Sequence, residues 1–161
     1  MGLDISAYSK INKTEDLDEA TIFIRRGEYH NDQAKDIEVG EYIEDPLCEY
    51  HGFRAGTYSG YGAFRNLLSQ IILGNGAQYV WENIDEYTDK PFIELINFSD
   101  CEGKFGPKVS EKLHKDFVEN RENFHSEVKE KNPYEGYYED VYDNFMLGFE
   151  LSSKGGVLCF Q

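Results

Sequence analysis

Two arginines, three glycines and two tyrosines crowd into one short stretch, Phe53 to Arg65, which reads FRAGTYSGYGAFR. From Arg54 to Trp81 there is no Asp or Glu, although the chain carries 31 acidic residues against 16 basic ones. Glycines at 56, 60 and 62 permit left-handed backbone and close approach of a ligand to the chain. Successive backbone N–H groups in such a loop can form an anion-binding nest. A helix starting beyond it adds unpaired N–H groups and the positive end of its dipole. Arg54 and Arg65 can fork onto phosphate or carboxylate oxygens. Tyr58 and Tyr61 can stack on a base, and Ser59 can donate a hydrogen bond. These five residues are the candidate ligand site, suited to a nucleotide, a cyclic nucleotide or another phosphorylated metabolite. The spacing matches neither the phosphate loop G-x-x-x-x-G-K-[ST] nor the dinucleotide fingerprint G-x-G-x-x-G. A glycine-requiring turn with core tyrosines and carboxylate-paired arginines explains the same residues.

A second constellation is Glu94, Asn97, Asp100 and Glu102, with Ser99 and Cys101 between them. Asp100 and Glu102 could act as an acid/base pair or hold a divalent cation, whereas Asn97, Ser99 and Asp100 are also ordinary turn formers. If PFIELINF is a strand buried on both faces, Glu94 needs a partner, and Arg54 or Arg65 is a natural one. Cys48-x-x-His51 is the only short Cys/His pair, and a structural zinc site wants two, so no metal is expected. The histidines show no H-E-x-x-H pattern and there is no G-x-S-x-G elbow, so no catalytic residue is assigned and no cofactor is expected.

These residues need elements to position them. Gly2 to Ile11 alternates apolar and polar side chains as a strand with one buried face. Residues 12–20 read as a loop or short helix, Thr21 to Arg26 as a short strand, and 28–52 as a long excursion with little regular structure. Phe64, Leu67, Leu68, Ile71 and Ile72 follow helical spacing from about Gly62 to Leu73, stopped by Gly74. PFIELINF (91–98) reads as a buried strand. Ser110 can cap a helix carrying Leu113, Phe117, Phe124 and Val128, ended by Asn132-Pro133. A last helix runs from about Tyr137 to Ser152, and Val157 to Phe160 closes the chain as a strand. The order predicts an α+β single domain, residues 1–161, with about three helices packed on a mostly antiparallel sheet.

The chain's 161 residues suffice for one domain with a real core, and aromatics make up 15%. The formal charge of −15 is spread as −8 before Arg54, +2 from 54 to 81, and −9 beyond. That disfavours a nucleic-acid partner, whose phosphates need Lys/Arg neutralisation. No run spans a bilayer, the N-terminus lacks a signal-peptide pattern, and three cysteines without framework spacing fit a reducing cytoplasm. Alternatives to a binder are an acidic interaction protein that inhibits a host factor, and a nucleotide-processing hydrolase using Asp100 and Glu102. The aromatic content also permits a homo-oligomer.

Four segments, MGLDISAY, FRAGTYSGY, PFIELINFSDCEGKFGPKVSEKL and FELSSKGGVLCFQ, together resemble a family of small uncharacterised proteins of tailed bacteriophages and prophages. The resemblance touches both ends and the middle, and is weakest over 12–52 and 74–90. It implies a phage accessory protein acting in the host bacterial cytoplasm and supplies no site residues. In that setting an anion binder could sequester a nucleotide-derived immune signal.

Overall fold

Apolar side chains on both sides of the short strand VLCF require cover on both of its faces, and the architecture supplies it. In this computed structural model, residues 2–27, 33–132 and 136–161 are described. β1 (Gly2–Tyr8), β5 (Tyr50–Thr57), β6 (Gly103–Phe105) and β7 (Val157–Phe160) form an antiparallel sheet in the order β5-β1-β7-β6. A second antiparallel sheet has the order β2-β4-β3, from β2 (Ile11–Thr14), β3 (Ile22–Ile24) and β4 (Gly40–Glu44). The helices are α1 (Tyr58–Leu73), α2 (Ala77–Glu82), α3 (Ile93–Ile96), α4 (Pro107–Lys131) and α5 (Tyr137–Ser152). A 3-10 turn covers Ile84–Tyr87. The fold is therefore α+β.

Strand alternation sorts the core into two parts. Leu3, Ile5, Ala7, Ala55, Leu158 and Phe160 join the helices in the larger cluster. Val157 and Cys159 face the other way and pack with Ile22, Ile24 and Tyr42 of the small sheet. Helices, central sheet and small sheet thus make three layers. Burial raises the Cys159 thiol to about 11, so it stays neutral. The larger cluster is aromatic: Phe92 meets Phe117 edge-on at 4.7 Å, and Phe98 meets Phe160 edge-on at 5.1 Å. Such pairs contribute about 0.5–1.5 kcal/mol each beyond area burial.

Several elements differ from the sequence expectation. Segment 28–52 contains β4 and the start of β5, although residues 28–32 lie outside the described residues. Residues 11–14 form a strand, because their backbone pairs with β4. PFIELINF holds a single helical turn, α3, instead of a strand. Phe92 takes φ 63°, and its N–H donates to Asp116 at 3.0 Å, which turns the chain there. A short apolar run does not distinguish strand from buried helix by periodicity. α4 starts at Pro107 after Gly106, so Ser110 caps nothing. It lies buried inside the helix, where the Ser152 hydroxyl donates to it at 2.7 Å.

Candidate functional site

The glycine-rich stretch straddles the junction of β5 and α1. Thr57 is the N-cap: its Oγ1 accepts from the Gly60 N–H at 3.0 Å. Helix α1 therefore begins at Tyr58, one turn earlier than the apolar stripe suggests, and one of its free N–H groups is already capped. Ser59 shares its hydroxyl with Thr57 at 3.1 Å. Gly56 has φ 105°, and the Tyr137 hydroxyl donates to the Ala55 carbonyl directly above it. A Cβ on Gly56 would stand 2.5 Å from that hydroxyl oxygen. This glycine serves the packing of α5 on the β5–α1 junction.

The two arginines separate. Ala55 belongs to the helix-side core, so its neighbour Arg54 projects from the opposite face of the sheet. There it forks onto Asp4, its cross-strand partner, with Nε–Oδ1 at 3.1 Å and Nη2–Oδ2 at 3.3 Å. Both side chains are more than half exposed, at 62% and 56%. Arg65 is only 6% exposed and lies on the helix side. The expected pairing of Arg54 and Arg65 on one anion does not form. Strand alternation sends Arg54 away, and the helix buries Arg65.

Tyr61 is fully buried, its ring packed against Phe64, Phe145 and Phe160. It cannot stack on a ligand, contrary to the sequence expectation. Its hydroxyl, however, is buried with no hydrogen-bond partner among the described residues. Burial pushes its pKa strongly upward; the Arg65 charge opposes this and Asp100 adds to it, so the phenol stays protonated. Tyr58 keeps 36% exposure at the start of the helix.

Arg65 donates from Nη1 to the Phe98 carbonyl. Its guanidinium lies over the Tyr61 ring at 5.3 Å and the Trp81 ring at 4.9 Å. The Trp81 indole is held by its N–H donating to the Ile96 carbonyl at 2.9 Å, and it remains 38% exposed. The Arg65 Nε is buried and has no hydrogen-bond partner among the described residues. Among the described residues no carboxylate comes within ion-pairing distance of it. Positions 58, 61 and 65 fall on one stripe of α1, by i, i+3, i+7 spacing.

Glu94 partners neither arginine. It pairs with Lys112 at 2.7 Å, and Lys112 also reaches Asp116 at 2.8 Å and the Lys90 carbonyl at 2.8 Å. The α3 turn rotates Glu94 toward α4. Asn97 ends α3 and is exposed. Asp100 and Glu102 are exposed on a turn whose N–H groups at 101 and 102 both donate to Ser99 Oγ at 3.2 Å. That turn follows directly on the Phe98 carbonyl, so Arg65 ties the two sequence constellations together. Among the described residues no cluster of His, Cys, Asp and Glu could hold a metal. Cys48 engages Ser9 and Glu49, whereas His51 pairs with Asn144, so that short pair is not assembled. Trp81 and Tyr137 escaped the sequence reading. Trp81 is marked in the sequence only by closing the acid-free window, and Tyr137 only as the start of the last helix.

Comparison with protein-family models, curated proteins and solved structures finds no match to this chain. No helix among the described residues is long and apolar enough to cross a membrane.

Proposed function

We propose that the protein binds a small anion at the Arg65–Tyr61 face of α1, with Trp81 and Tyr58 flanking it. The observation that carries this is a buried guanidinium with no carboxylate in contact, beside a buried, neutral hydroxyl with no hydrogen-bond partner, both among the described residues. A buried charge lacking a counter-ion is costly, and the Phe98 carbonyl and two ring faces offset only part of that cost. Both unpartnered groups are donors, so the complement they lack is an acceptor-rich anion. In the setting its phage resemblance implies, we propose an accessory protein that holds a nucleotide-derived signal in the bacterial cytoplasm without turning it over.

The test is a thermal-shift screen of nucleotides and phosphorylated metabolites, with mass spectrometry of molecules released on heating. A ligand whose stabilisation survives Arg54→Ala and vanishes in Arg65→Met is the expected result. If no anion stabilises the wild type, the proposal fails. Retention of a basic host protein without any small molecule would instead favour an acidic interaction protein.

A further inference from the structure

We propose that the ligand group received by Arg65 is a monoanion with two equivalent oxygens, a phosphodiester or a carboxylate, and not a phosphomonoester or polyphosphate. This rests on the anion-binding reading above and specifies its chemistry.

The first argument is charge balance. Arg65 is the one cation on this face from the acid-free window, because Arg54 lies across the sheet on Asp4. Lys112 of α4, which packs on α3, is engaged by Glu94 and Asp116. Tyr61 contributes a neutral donor. The exposed turn that follows the Phe98 carbonyl, taken as the rim, is acidic: Asp100 and Glu102 both stand on it, and the Asp100 charge adds to the upward shift of Tyr61. A single negative charge neutralises Arg65. A phosphomonoester carries about −1.5 to −2 at pH 7 and leaves uncompensated charge beside that rim.

The second argument is geometric. A guanidinium has two edges that can fork onto paired oxygens. The Phe98 carbonyl occupies Nη1, and the unpartnered Nε marks the edge left over. One edge meets one pair of oxygens, as in a carboxylate or the two non-bridging oxygens of a phosphodiester. The Tyr61 hydroxyl then supplies the remaining donor.

Calorimetric titrations at constant pH and ionic strength can compare adenosine 3′,5′-cyclic monophosphate and a cyclic dinucleotide with AMP and ATP. A parallel arm compares benzoate with inorganic phosphate, which separates a carboxylate source from a phosphodiester one. We expect at least tenfold tighter binding of a monoanion than of its dianionic counterpart, lost in Arg65→Met. We also expect Asp100→Asn to strengthen AMP binding severalfold and narrow the preference, since it removes rim charge without touching Arg65. If AMP, ATP or phosphate binds more tightly and still depends on Arg65, the monoanion assignment is overturned while the anion site stands. If nothing in either arm binds, the site and the assignment fall together.

Discussion

Gly56 and Gly62 belong to the same glycine-rich stretch, yet alanine is expected to act oppositely at the two. Gly56 has φ 105°, and a Cβ there would meet the Tyr137 hydroxyl at 2.5 Å. Forcing alanine into that backbone region costs about 1–3 kcal/mol. Displacing the hydroxyl from the Ala55 carbonyl removes about 0.5–1.5 kcal/mol more. The total of about 2–4 kcal/mol corresponds to a Tm lowered by roughly 5–15 °C for a chain of this size. Gly62 lies inside α1, where a Cβ would meet nothing within 4 Å. Alanine there gains about 0.5–1 kcal/mol of helix propensity, a Tm higher by roughly 1–4 °C. Calorimetry on Gly56→Ala, Gly62→Ala, Tyr137→Phe and the Gly56→Ala/Tyr137→Phe double variant measures each contribution. In the Tyr137→Phe background the hydroxyl is already gone, so Gly56→Ala should cost about 1 kcal/mol less. An equal cost in both backgrounds, or a neutral Gly56→Ala, refutes the proposed packing of Tyr137 on this glycine. A destabilising Gly62→Ala refutes the view that this position is an ordinary helical one.

Tyr61→Phe removes a hydroxyl with no partner among the described residues, so the ligand-free protein should be unchanged or more stable by up to about 1 kcal/mol; a marked loss of stability in chemical denaturation counts against the geometry. Asp143 is partly desolvated, which raises its pKa, but the Arg121 fork and His125 outweigh this and hold it low. A depressed folded-state pKa gives stability that is present above the unfolded value near 3.9 and lost as pH falls through the folded value. The stability advantage over Asp143→Asn should therefore shrink as pH falls below about 4, and thermal melts in which the gap persists undiminished in acid would refute this. Cys101 is exposed and should react with a maleimide in the native state, while Cys159, buried with its thiol raised to about 11, should react only on unfolding. Mass mapping of the labelled cysteines decides between these outcomes.

The strongly periodic elements were legible in the sequence. Leu113, Phe117, Phe124 and Val128 repeat at helical spacing and are all fully buried on α4. VLCF reads as a strand because a short continuous apolar run after Gly155-Gly156 suits a strand buried on both faces. The 91–98 segment was not legible, because its turn depends on Asp116 accepting the Phe92 N–H from another helix. The candidate site was legible only as composition. Sequence marks Arg54 and Arg65 as the two cations of an acid-free window, and marks Tyr61 as a neighbour of both.

By itself the sequence determined the α+β class, the long helices, the closing strand and the concentration of donor groups around Tyr61 and Arg65. Local spacing and composition carry that information, since they follow from backbone periodicity and side-chain chemistry alone. Tertiary structure decided which charge is spent and which is left. Asp4 neutralises Arg54 through strand pairing across 50 residues, and Lys112 takes Glu94 through the packing of α3 on α4. Arg65 is left buried against Trp81 and the Phe98 carbonyl, with no carboxylate of the described residues in contact. Charge pairing depends on distances between residues remote in the chain, and those distances exist only once the layers have packed.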